Sequence, residues 1–383
     1  MHDLDPVLAP IQRARGLPNA HYTDPDVHAV ELERLFLGGW AGLCFASDVP
    51  EPGDAMPVDF AGQPLVAVHG KDGRIRVFEN VCRHRGMILV PEKRRIGGAL
   101  RCPYHSWCYA TDGRLVATPH VGGPGRNTAP GINRATLGLT EVRAHVWRDV
   151  VFVDRSGTAP AFEVFAADLI ARWADLDQPL HDAGPEGSFD LTPACNWKLA
   201  VENYSESYHL PWVHPGLNSY SRLEDHYHIE APRRFAGQGT RVYRPPLDPT
   251  GRRFPDFAGV LPRWDTAAEY VALCPNVLLG VHRDQSFAIL LLPDGQDRTR
   301  ERIRLTYASA EVAGTEWAAM RATNAAMWKD VFVEDIFVVE GMQRGRAARG
   351  FDGGRFSPAM DGPVHLFHAW VAERMGARAL ADA

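Results

Sequence analysis

Two short cysteine and histidine motifs constrain this chain more than any other feature of its sequence. The first has C-x-H spacing and the second, after a spacer of 17 residues, has C-x-x-H spacing; the four members are Cys82, His84, Cys102 and His105. Two thiolates and two imidazoles suit a mixed-ligand [2Fe-2S] cluster, in which the cysteines bind one iron and the histidines the other. Neutral imidazoles raise the reduction potential to roughly −150 to +300 mV, so the pattern predicts an electron relay.

A structural zinc site and chance are the alternative explanations of these motifs. Cys2His2 zinc sites usually have two cysteines in one loop and two histidines in another, whereas each motif here has one of each. The chain has 6 Cys and 16 His, so a single C-x-H would mean little, but two mixed motifs are far more specific. Residues 106–115, directly after His105, resemble the sequence that follows the second motif of Rieske iron-sulfur domains.

Length and composition limit the possible classes of protein. The chain has 383 residues, and single domains typically have ~100 to 200, so we expect two domains. The net charge of −6 is spread without long single-sign runs, which argues against nucleic-acid binding. No apolar run approaches the ~20 residues that span a bilayer, and no signal peptide is visible. We therefore expect a cytoplasmic protein with reduced cysteines.

Hydrophobic periodicity divides the chain into three predicted segments. Residues 1–39 have a helical pattern and are expected to pack on the catalytic domain. Residues 40–155 alternate short strands with turns and carry both motifs on loops. Residues 156–383 mix strands with helices, and their strands cluster without regular helical crossovers. This arrangement predicts an antiparallel sheet with helices packed on it.

The elements of the last segment are predicted from the same patterns. We expect strands near 241–243, 272–279, 286–292 and 301–308. Dense apolar positions with few helix breakers predict two C-terminal helices, over 316–344 and 363–378.

Residues 196–215 form the second informative stretch. If 197–209 is one helix, then Glu202, Glu206 and His209 have i, i+4 and i+7 spacing, which would place them along one face. These residue types in that pattern indicate a metal site at a helix end.

A second histidine follows this predicted helix. Pro211 would end the helix, so that His214 turns back towards His209. Two histidines and one carboxylate on one face of an iron, with the other face open, is the arrangement of non-heme Fe(II) oxygenases.

The residues alone leave the carboxylate ligand open. Glu206 is nearest in sequence, but a carboxylate at this position could equally orient an imidazole without binding the metal. The first C-terminal helix offers Glu334 and Asp335, and Asp330 lies five residues before Asp335.

The whole chain resembles the oxygenase α subunit of Rieske non-heme iron oxygenases, through these motifs and the pattern E-N-x-x-[DE]-x-Y-H-x4-H. The resemblance implies an α+β fold class: an all-β Rieske domain, then a START-like helix-grip domain with an antiparallel sheet and a long C-terminal helix. It assigns His209, His214 and Asp335 as iron ligands. Glu206 matches the carboxylate that bridges a Rieske histidine, here His105, to His209 of a neighbouring subunit. The family usually has Asp there, so Glu is a departure.

The resemblance also implies cofactors and partners. They are a [2Fe-2S] cluster, a mononuclear Fe(II), O2, and an NAD(P)H-dependent flavin or iron-sulfur reductase acting directly or through a ferredoxin. A homotrimer is implied, and the chain has no G-x-G-x-x-G nucleotide motif of its own. Asn203 matches a polar neighbour of the iron. Tyr204 and Trp212 are candidates for the substrate pocket, with a place in the core as the alternative.

Substrate expectations come from two further segments. Residues 274–282 and 356–368 resemble the branch that includes betaine- and carnitine-type monooxygenases. We therefore expect oxidation of a methylated amine, by N-demethylation or by C-N cleavage through hydroxylation. The alternatives are hydroxylation, dihydroxylation or O-demethylation of an aromatic acid, and a non-enzymatic ligand-binding or electron-transfer protein.

Overall fold

The computed structural model describes residues 3–182, 184–231 and 234–377. They divide into two compact units, one formed by 37–159 and the other by 1–36 together with 160–383. The boundaries expected from the sequence, at 39/40 and 155/156, stay predictions. Among the described residues, no helix is both long and apolar enough to cross a membrane.

The unit 37–159 is built of strands. They are β1 (Trp40–Phe45), β2 (Asp54–Phe60), β3 (Gln63–His69), β4 (Ile75–Glu79), β5 (Arg94–Arg95), β6 (Ala99–Arg101), β7 (Cys108–Ala110), β8 (Leu115–Ala117), β9 (Glu141–Trp147) and β10 (Val150–Asp154). Seven form one sheet in the order β1-β10-β9-β4-β3-β2-β5, and β6-β7-β8 form a second. The antiparallel pairing of β6 with β7 places Arg101 opposite Cys108 and so brackets the second metal motif.

The larger unit is centred on a seven-stranded antiparallel sheet. Its strands are β11 (Ser188–Leu191), β12 (His226–Ala231), β13 (Phe235–Thr240), β14 (Ala268–Leu273), β15 (Val277–Val281), β16 (Gln285–Pro293) and β17 (Thr299–Tyr307). Their order is β11-β17-β16-β15-β14-β13-β12. The central strands are almost wholly buried, because helices cover them.

Nine α-helices occur among the described residues, all of them in the larger unit. They are α1 (Ala20–Thr23), α2 (Pro25–Glu31), α3 (Phe162–Phe165), α4 (Ala167–Arg172), α5 (Trp197–Tyr204), α6 (Leu210–Val213), α7 (Pro215–Asn218), α8 (Ala318–Gly345) and α9 (Gly362–Met375). A π-helix, Leu32–Phe36, follows α2 directly. Helix α5 contacts β14, β16 and α8, and α9 contacts β12 and β13. Helices α5 and α8 therefore meet over the sheet.

Short 3-10 helices make up the remaining helical elements. They are Asp5–Leu8, Ala46–Asp48, Arg134–Thr136, Ala174–Leu176, Pro185–Gly187, Leu223–Asp225, Pro262–Asp265, Ala310–Ala313 and Thr315–Trp317.

The structure agrees with the expected fold class: an all-β unit is followed by an antiparallel sheet with a long helix near the C-terminus. The two C-terminal helices lie close to the ranges predicted for them. Arg378, at the end of the second predicted range, lies outside the described residues.

Two strand predictions in the larger unit are wrong. No strand covers 241–243, because β13 ends at Thr240, whose hydroxyl donates to the Val242 carbonyl (3.0 Å) and accepts from the Val242 N–H (3.1 Å). That local bonding replaces the sheet ladder. The range 272–279 is two strands, since the chain turns at 274–276 and Leu273 then pairs with Val277. Pro275 in this turn has no N–H to contribute to a ladder.

The N-terminal residues pack on the catalytic sheet's helices through buried charges. Lys198 on α5 and Glu31 on α2 are fully buried, with Nζ and Oε2 separated by 2.5 Å, and Glu31 also contacts His21 Nδ1 at 2.7 Å. Gln343 on α8 donates to the Tyr22 carbonyl (3.0 Å) and accepts from the Asn196 N–H (3.0 Å). These contacts fix the start of α5, the helix that leads to the candidate site.

Candidate active site

Helix α5 ends earlier than the sequence pattern predicts. Asn196 caps its start by accepting from the Lys198 N–H (3.1 Å). Its last residue is Tyr204, and the Ser205 hydroxyl donates to the Val201 carbonyl (2.6 Å). The carboxylate of Glu206 then accepts the backbone N–H groups of Tyr208 and His209. The prediction of one helix over 197–209 is therefore wrong, because side chains take over the backbone bonds at its C-terminal end.

This early end separates two carboxylates that were expected to share a face. Glu202 points into a buried cluster, where it accepts from the Tyr22 hydroxyl (2.5 Å) and lies 3.1 Å from His368 Nε2. Burial raises the pKa of Glu202, but the nearby His368 and Arg346 outweigh it and lower that pKa below its usual value. Glu206 instead faces His209, with Oε1 2.6 Å from Nδ1.

His214 reaches His209 by a different route from the one predicted. Pro211 lies in the first turn of the new helix α6 and so begins a helix instead of ending one. Helix α6 has only four residues, and the chain then turns at His214 into α7. The two imidazole rings lie 5.0 Å apart, at 70° to each other.

Asp335 on α8 completes a three-residue cluster with these histidines. Its Oδ1 lies 2.9 Å from His214 Nε2 and 3.7 Å from His209 Nε2. One donor atom from each residue falls within 4.8 Å of the others. Oδ1 of Asp335 is buried and has no hydrogen-bond partner. Three converging metal-ligand atoms around a buried, unpartnered oxygen fit a 2-His-1-carboxylate metal site.

Glu334, the neighbour of Asp335, contacts the far ring nitrogen of the His214 imidazole. Its Oε2 lies 2.7 Å from His214 Nδ1, the ring nitrogen that faces away from Asp335. Glu206 holds His209 Nδ1 in the same way. Because both Nδ1–H groups donate to carboxylates, the Nε2 lone pairs of His209 and His214 point into the space shared with Asp335.

The electrostatics of His214 agree with this arrangement. Burial lowers the pKa of His214, but the carboxylates of Asp335 and Glu334 outweigh burial and raise that pKa above its ordinary value. A bound divalent cation would take the place of the proton that these two carboxylates otherwise favour. The sequence did not indicate that Glu334 would orient His214. The only sequence feature that could have suggested this role is its position beside Asp335.

The predicted cluster ligands lie on two loops with matching backbone geometry. The Cys82 N–H donates to the Met87 carbonyl (2.8 Å), and the Cys102 N–H donates to the Trp107 carbonyl (2.8 Å). Each cysteine carbonyl accepts in turn from the residue four positions later, Gly86 or Ser106 (3.0 Å for both). Ser106 takes a φ of +57° to close its loop.

The loops place unlike ligands at different depths. Cys82 and Cys102 are buried and form no disulfide, whereas His84 and His105 are exposed, with ring centroids 4.8 Å apart. The Tyr109 hydroxyl lies 3.3 Å from Cys82 Sγ. Two buried thiols and two exposed imidazoles fit a cluster with a cysteine-bound iron inside and a histidine-bound iron at the surface.

An aromatic cavity adjoins the three-residue cluster. Its lining is Asn203, Tyr204, His209, Leu210, His214, Leu217, Ser221, His226, Gln238, Tyr270, Phe287, Trp328, Val331, Phe332 and Asp335. The rings of Phe287 and Trp328 are 4.7 Å apart, and Tyr204 meets Tyr270 edge-on at 6.4 Å. The residues Tyr270, Phe287 and Trp328 were missed, because they come from separate strands and a helix and no local pattern links them.

Of the pocket candidates from the sequence, the structure places Asn203 and Tyr204 in the cavity but not Trp212. Trp212 is 71% exposed and packs edge-on against Tyr208, with ring centroids 5.7 Å apart. The short helix α6 turns Leu210 inward, and Trp212 faces away. Trp212 therefore neither lines the cavity nor fills the core.

These two sites define the class of the protein: an electron-relay unit joined to a mononuclear iron unit. The family described as "Ring hydroxylating alpha subunit (catalytic domain)" matches residues 180–377, and "Rieske [2Fe-2S] domain" matches residues 39–130. The chain belongs to the family of ring-hydroxylating oxygenase alpha subunits. The predicted resemblance to Rieske oxygenases is thereby confirmed.

Named relatives extend over most of the chain. It is 26% identical to a chloroplastic choline monooxygenase of Arabidopsis thaliana, covering 96% of this chain and 84% of the relative. It is also 26% identical to the carnitine monooxygenase oxygenase subunit of Escherichia coli K12, covering 89% and 87%. A third relative, the glycine betaine monooxygenase oxygenase subunit of Chromohalobacter salexigens, is 26% identical over 97% and 88%.

Solved structures share the fold. The quaternary ammonium Rieske monooxygenase CntA in complex with L-carnitine superposes with a TM-score of 0.77 at 21% identity, over 98% of this chain and 99% of that one. Naphthalene 1,2-dioxygenase from Rhodococcus sp. also gives 0.77, at 17% identity and 97% coverage of both chains.

The protein is therefore the oxygenase component of a Rieske system, with a [2Fe-2S] cluster and a mononuclear iron that uses O2. Once bound, the iron supplies O2 activation and the cluster supplies electrons. Within the chain, the carboxylates of Glu206 and Glu334 hold the imidazoles of His209 and His214, and α8 carries Asp335. The buried rings of Tyr270, Phe287 and Trp328 form the apolar part of the adjoining cavity, and polar side chains such as Asn203 and Gln238 complete its wall.

Substitutions at two adjacent carboxylates test the ligand assignment. Asp335→Asn should lose the mononuclear iron, because an amide replaces the anionic ligand. Glu334→Gln should keep it with affinity reduced about 10- to 100-fold, as expected when a group that orients a ligand is weakened. Metal analysis and Fe(II) titration give both values, and cluster absorbance serves as the internal control. Iron retained in Asp335→Asn and lost in Glu334→Gln would reverse the assignment.

Proposed function

We propose that this protein monooxygenates a small quaternary ammonium compound, by N-demethylation or by C-N cleavage through hydroxylation. The observation that carries the proposal is the aromatic cavity beside His209, His214 and Asp335. The described residues that line it include no Lys or Arg. The relatives named for choline, carnitine and glycine betaine support the same substrate class.

A trimethylammonium group suits this lining for a physical reason. The negative faces of aromatic rings attract a cation, by about 0.5 to 2 kcal/mol for each contact. Tyr270, Phe287 and Trp328 supply such rings, with centroids 4.7 to 6.2 Å apart between neighbours.

Oxidation of an aromatic acid is the second candidate, and it would require different binding groups in the cavity. A benzoate carboxylate needs a cation or free amide donors. Of the two amides in the lining, Gln238 already donates to the Glu206 carbonyl (3.2 Å) and accepts from His226. Asn203 and the unpartnered Tyr204 hydroxyl are left as neutral donors for an anion, and the lining offers no Lys or Arg, which favours the quaternary ammonium substrate.

Electron delivery is proposed to run between neighbouring copies of the chain. His105 is exposed beside Tyr104 on the cluster unit, and Tyr104 is 56% exposed with Arg85 over its ring at 5.5 Å. Around Glu206 the catalytic unit exposes Tyr208 and Trp212. The exposed aromatic rings at each centre, together with Arg85 beside the cluster loops, support docking of one copy's cluster on the next copy's Glu206.

Repeated head-to-tail docking of this kind closes into a ring, for which we propose a homotrimer. The electron would pass from His105 of one copy through Glu206 to His209 of its neighbour. The ultimate donor is NAD(P)H, through a flavin or iron-sulfur reductase, directly or with a ferredoxin. A cytoplasmic location also stays a prediction.

The substrate proposal is tested with a panel of methylated amines and aromatic acids, assayed with a surrogate reductase for formaldehyde or hydroxylated product. A trimethylammonium substrate should have a KM about 2- to 30-fold below that of its neutral tert-butyl isostere, which corresponds to the cation-π range. Trp328→Leu should reduce this preference, and Trp328→Phe should keep most of it.

Two controls accompany the panel. Trp317 is also buried but packs on Phe254 outside the cavity, so Trp317→Leu should leave the preference unchanged. In His214→Ala, substrate-dependent O2 consumption should disappear while the cluster absorbance stays. Turnover of aromatic acids alone would contradict the substrate proposal. O2 consumption that survives His214→Ala would contradict catalysis at the mononuclear iron site formed by His209, His214 and Asp335.

The bridging role of Glu206 has its own test. Glu206→Gln should leave cluster absorbance and iron content close to wild type but slow reoxidation of the reduced cluster by substrate and O2 at least tenfold. The amide keeps the side-chain length, whereas it loses the charge that accepts hydrogen bonds from two imidazoles. Stopped-flow absorbance in single turnover measures the rate. Wild-type reoxidation in this variant would remove the bridge from the electron route.

A further inference from the structure

A single carboxyl group interrupts an otherwise apolar face of the catalytic sheet. Alternate residues of a strand point to the same face, and the positions that follow Glu301 on its face of β17 are Ile303 and Leu305, both buried. The residues paired with Glu301 on the two neighbouring strands are Leu191 and Leu291. An apolar residue is therefore expected at 301, and the carboxyl group there needs a reason.

Glu301 lines a small cavity between the sheet and the helices α5 and α8. The other lining residues are Pro193, Ala200, Asn203, Tyr204, Leu278, Ile289, Phe332, Asp335, Ile336 and Val339. We call this space the Glu301 cavity. Its volume is about 30 Å³. One water molecule needs ~10 to 15 Å³, so the cavity has room for about two.

The Glu301 cavity and the aromatic cavity share one wall. The residues that line both spaces are Asn203, Tyr204, Phe332 and Asp335. This wall therefore carries an amide, a hydroxyl and the carboxylate that we assign to the iron. Hydrogen-bonding groups thus extend from the Glu301 cavity to the space beside the proposed iron ligands.

Two polar groups of the Glu301 cavity lack partners within the protein. The carboxyl of Glu301 forms no hydrogen bond or ion pair with any described residue, Asp335 included. The Tyr204 hydroxyl is buried and also has no partner. Buried polar groups are normally hydrogen-bonded to protein or to ordered water. Because the cavity has room for water, water is the natural partner of the Glu301 carboxyl.

Burial favours the protonated form of Glu301. Burial, and to a smaller extent the Asp335 carboxylate, raises the pKa of Glu301 to about 8. The other titratable groups near it are Tyr204 and the Cys195 thiol, and burial raises the pKa of each, so both stay neutral. The described residues that line the cavity include no Lys, Arg or His. Glu301 thus has a proton to donate at neutral pH.

Oxygen insertion consumes protons as well as electrons. When one atom of O2 enters a C–H bond, two electrons and two protons are taken up and the other atom leaves as water. Addition of both atoms to an aromatic ring takes up the same numbers. The cluster supplies electrons, but the Nδ1–H groups of His209 and His214 are already bound to carboxylates. The protons therefore need another donor.

We propose that Glu301 supplies protons for the reduction of O2 from the Glu301 cavity. Its O–H bond breaks, and the proton passes through cavity water and along the shared wall to an oxygen atom derived from O2. Solvent then returns a proton to the carboxylate, and the partial exposure of Glu301 and Ile336 gives solvent this access. The inference goes beyond the substrate proposal, because monooxygenation and dihydroxylation take up equal numbers of protons.

Infrared spectroscopy of the full-length protein tests whether Glu301 holds the proton. The wild type should show a carboxylic acid band that disappears as the pH rises through about 8, and Glu301→Gln should lack it. Asp284→Asn is the matched control, because burial also raises the pKa of Asp284, to about 7, but Asp284 lines neither cavity. This control should keep the Glu301 band.

Single turnover with the best substrate of the panel tests whether that proton is used. Glu301→Gln should keep wild-type iron content and cluster absorbance but form product about 100-fold more slowly, as expected when a proton donor is lost. The wild-type rate should fall as the pH rises through about 8, since the carboxyl loses its proton, and the variant should lack this fall. Glu301→Asp should restore part of the rate, and Asp284→Asn should retain all of it.

Two results would overturn the role of Glu301. One is a wild-type rate and pH profile in Glu301→Gln, and the other is loss of iron from that variant, which would give Glu301 a structural role instead. Failure of every compound in the panel would contradict the proposed function and not this inference. In that case the infrared titration still decides, because absence of a band that depends on Glu301 would overturn the inference by itself.

Discussion

The approach of one Asp335 oxygen to the Nε2 atoms of two histidines is the interaction on which the catalytic unit depends. The oxygen is buried without a hydrogen-bond donor, a costly arrangement unless a cation occupies the space between the three groups. Helix α8 brings Asp335 there by crossing the sheet beside α5. The buried pair Lys198 and Glu31 ties α5 to the N-terminal residues, so distant parts of the chain stabilise one metal site.

Two carboxylates that are not among the proposed iron ligands set the orientation of the two histidine rings. Glu334 takes the outer nitrogen of His214, and Glu206 takes that of His209. Because α5 ends at Tyr204, Glu206 is free to turn towards His209 and remains near the surface, whereas Glu202 is held inside the protein. The same turn that orients a ligand thus also places a carboxylate where a neighbouring cluster could reach it.

Local patterns predicted the parts of this protein that are encoded locally. The Rieske domain could be identified from spacing, because the two predicted cluster ligands of each loop lie within a few residues of each other. The end of α5 could not, because helical spacing continues through 209 and the side-chain bonds of Ser205 and Glu206 decide where the helix stops. The aromatic cavity was also beyond sequence reasoning. Its rings come from β14, β16 and α8: the sheet register places Tyr270 and Phe287 on either side of Gly280, and the packing of α8 brings Trp328 against Phe287.

Anomalous diffraction on both sides of the iron absorption edge, from crystals of the intact protein, tests the account most directly. We expect a single-iron peak bounded by His209, His214 and Asp335, and a separate peak for two irons bounded by the ligand set Cys82, His84, Cys102 and His105. Iron held by Glu334 or Glu206 in place of Asp335, or no iron peak at all between the two histidines, would contradict the proposed catalytic centre.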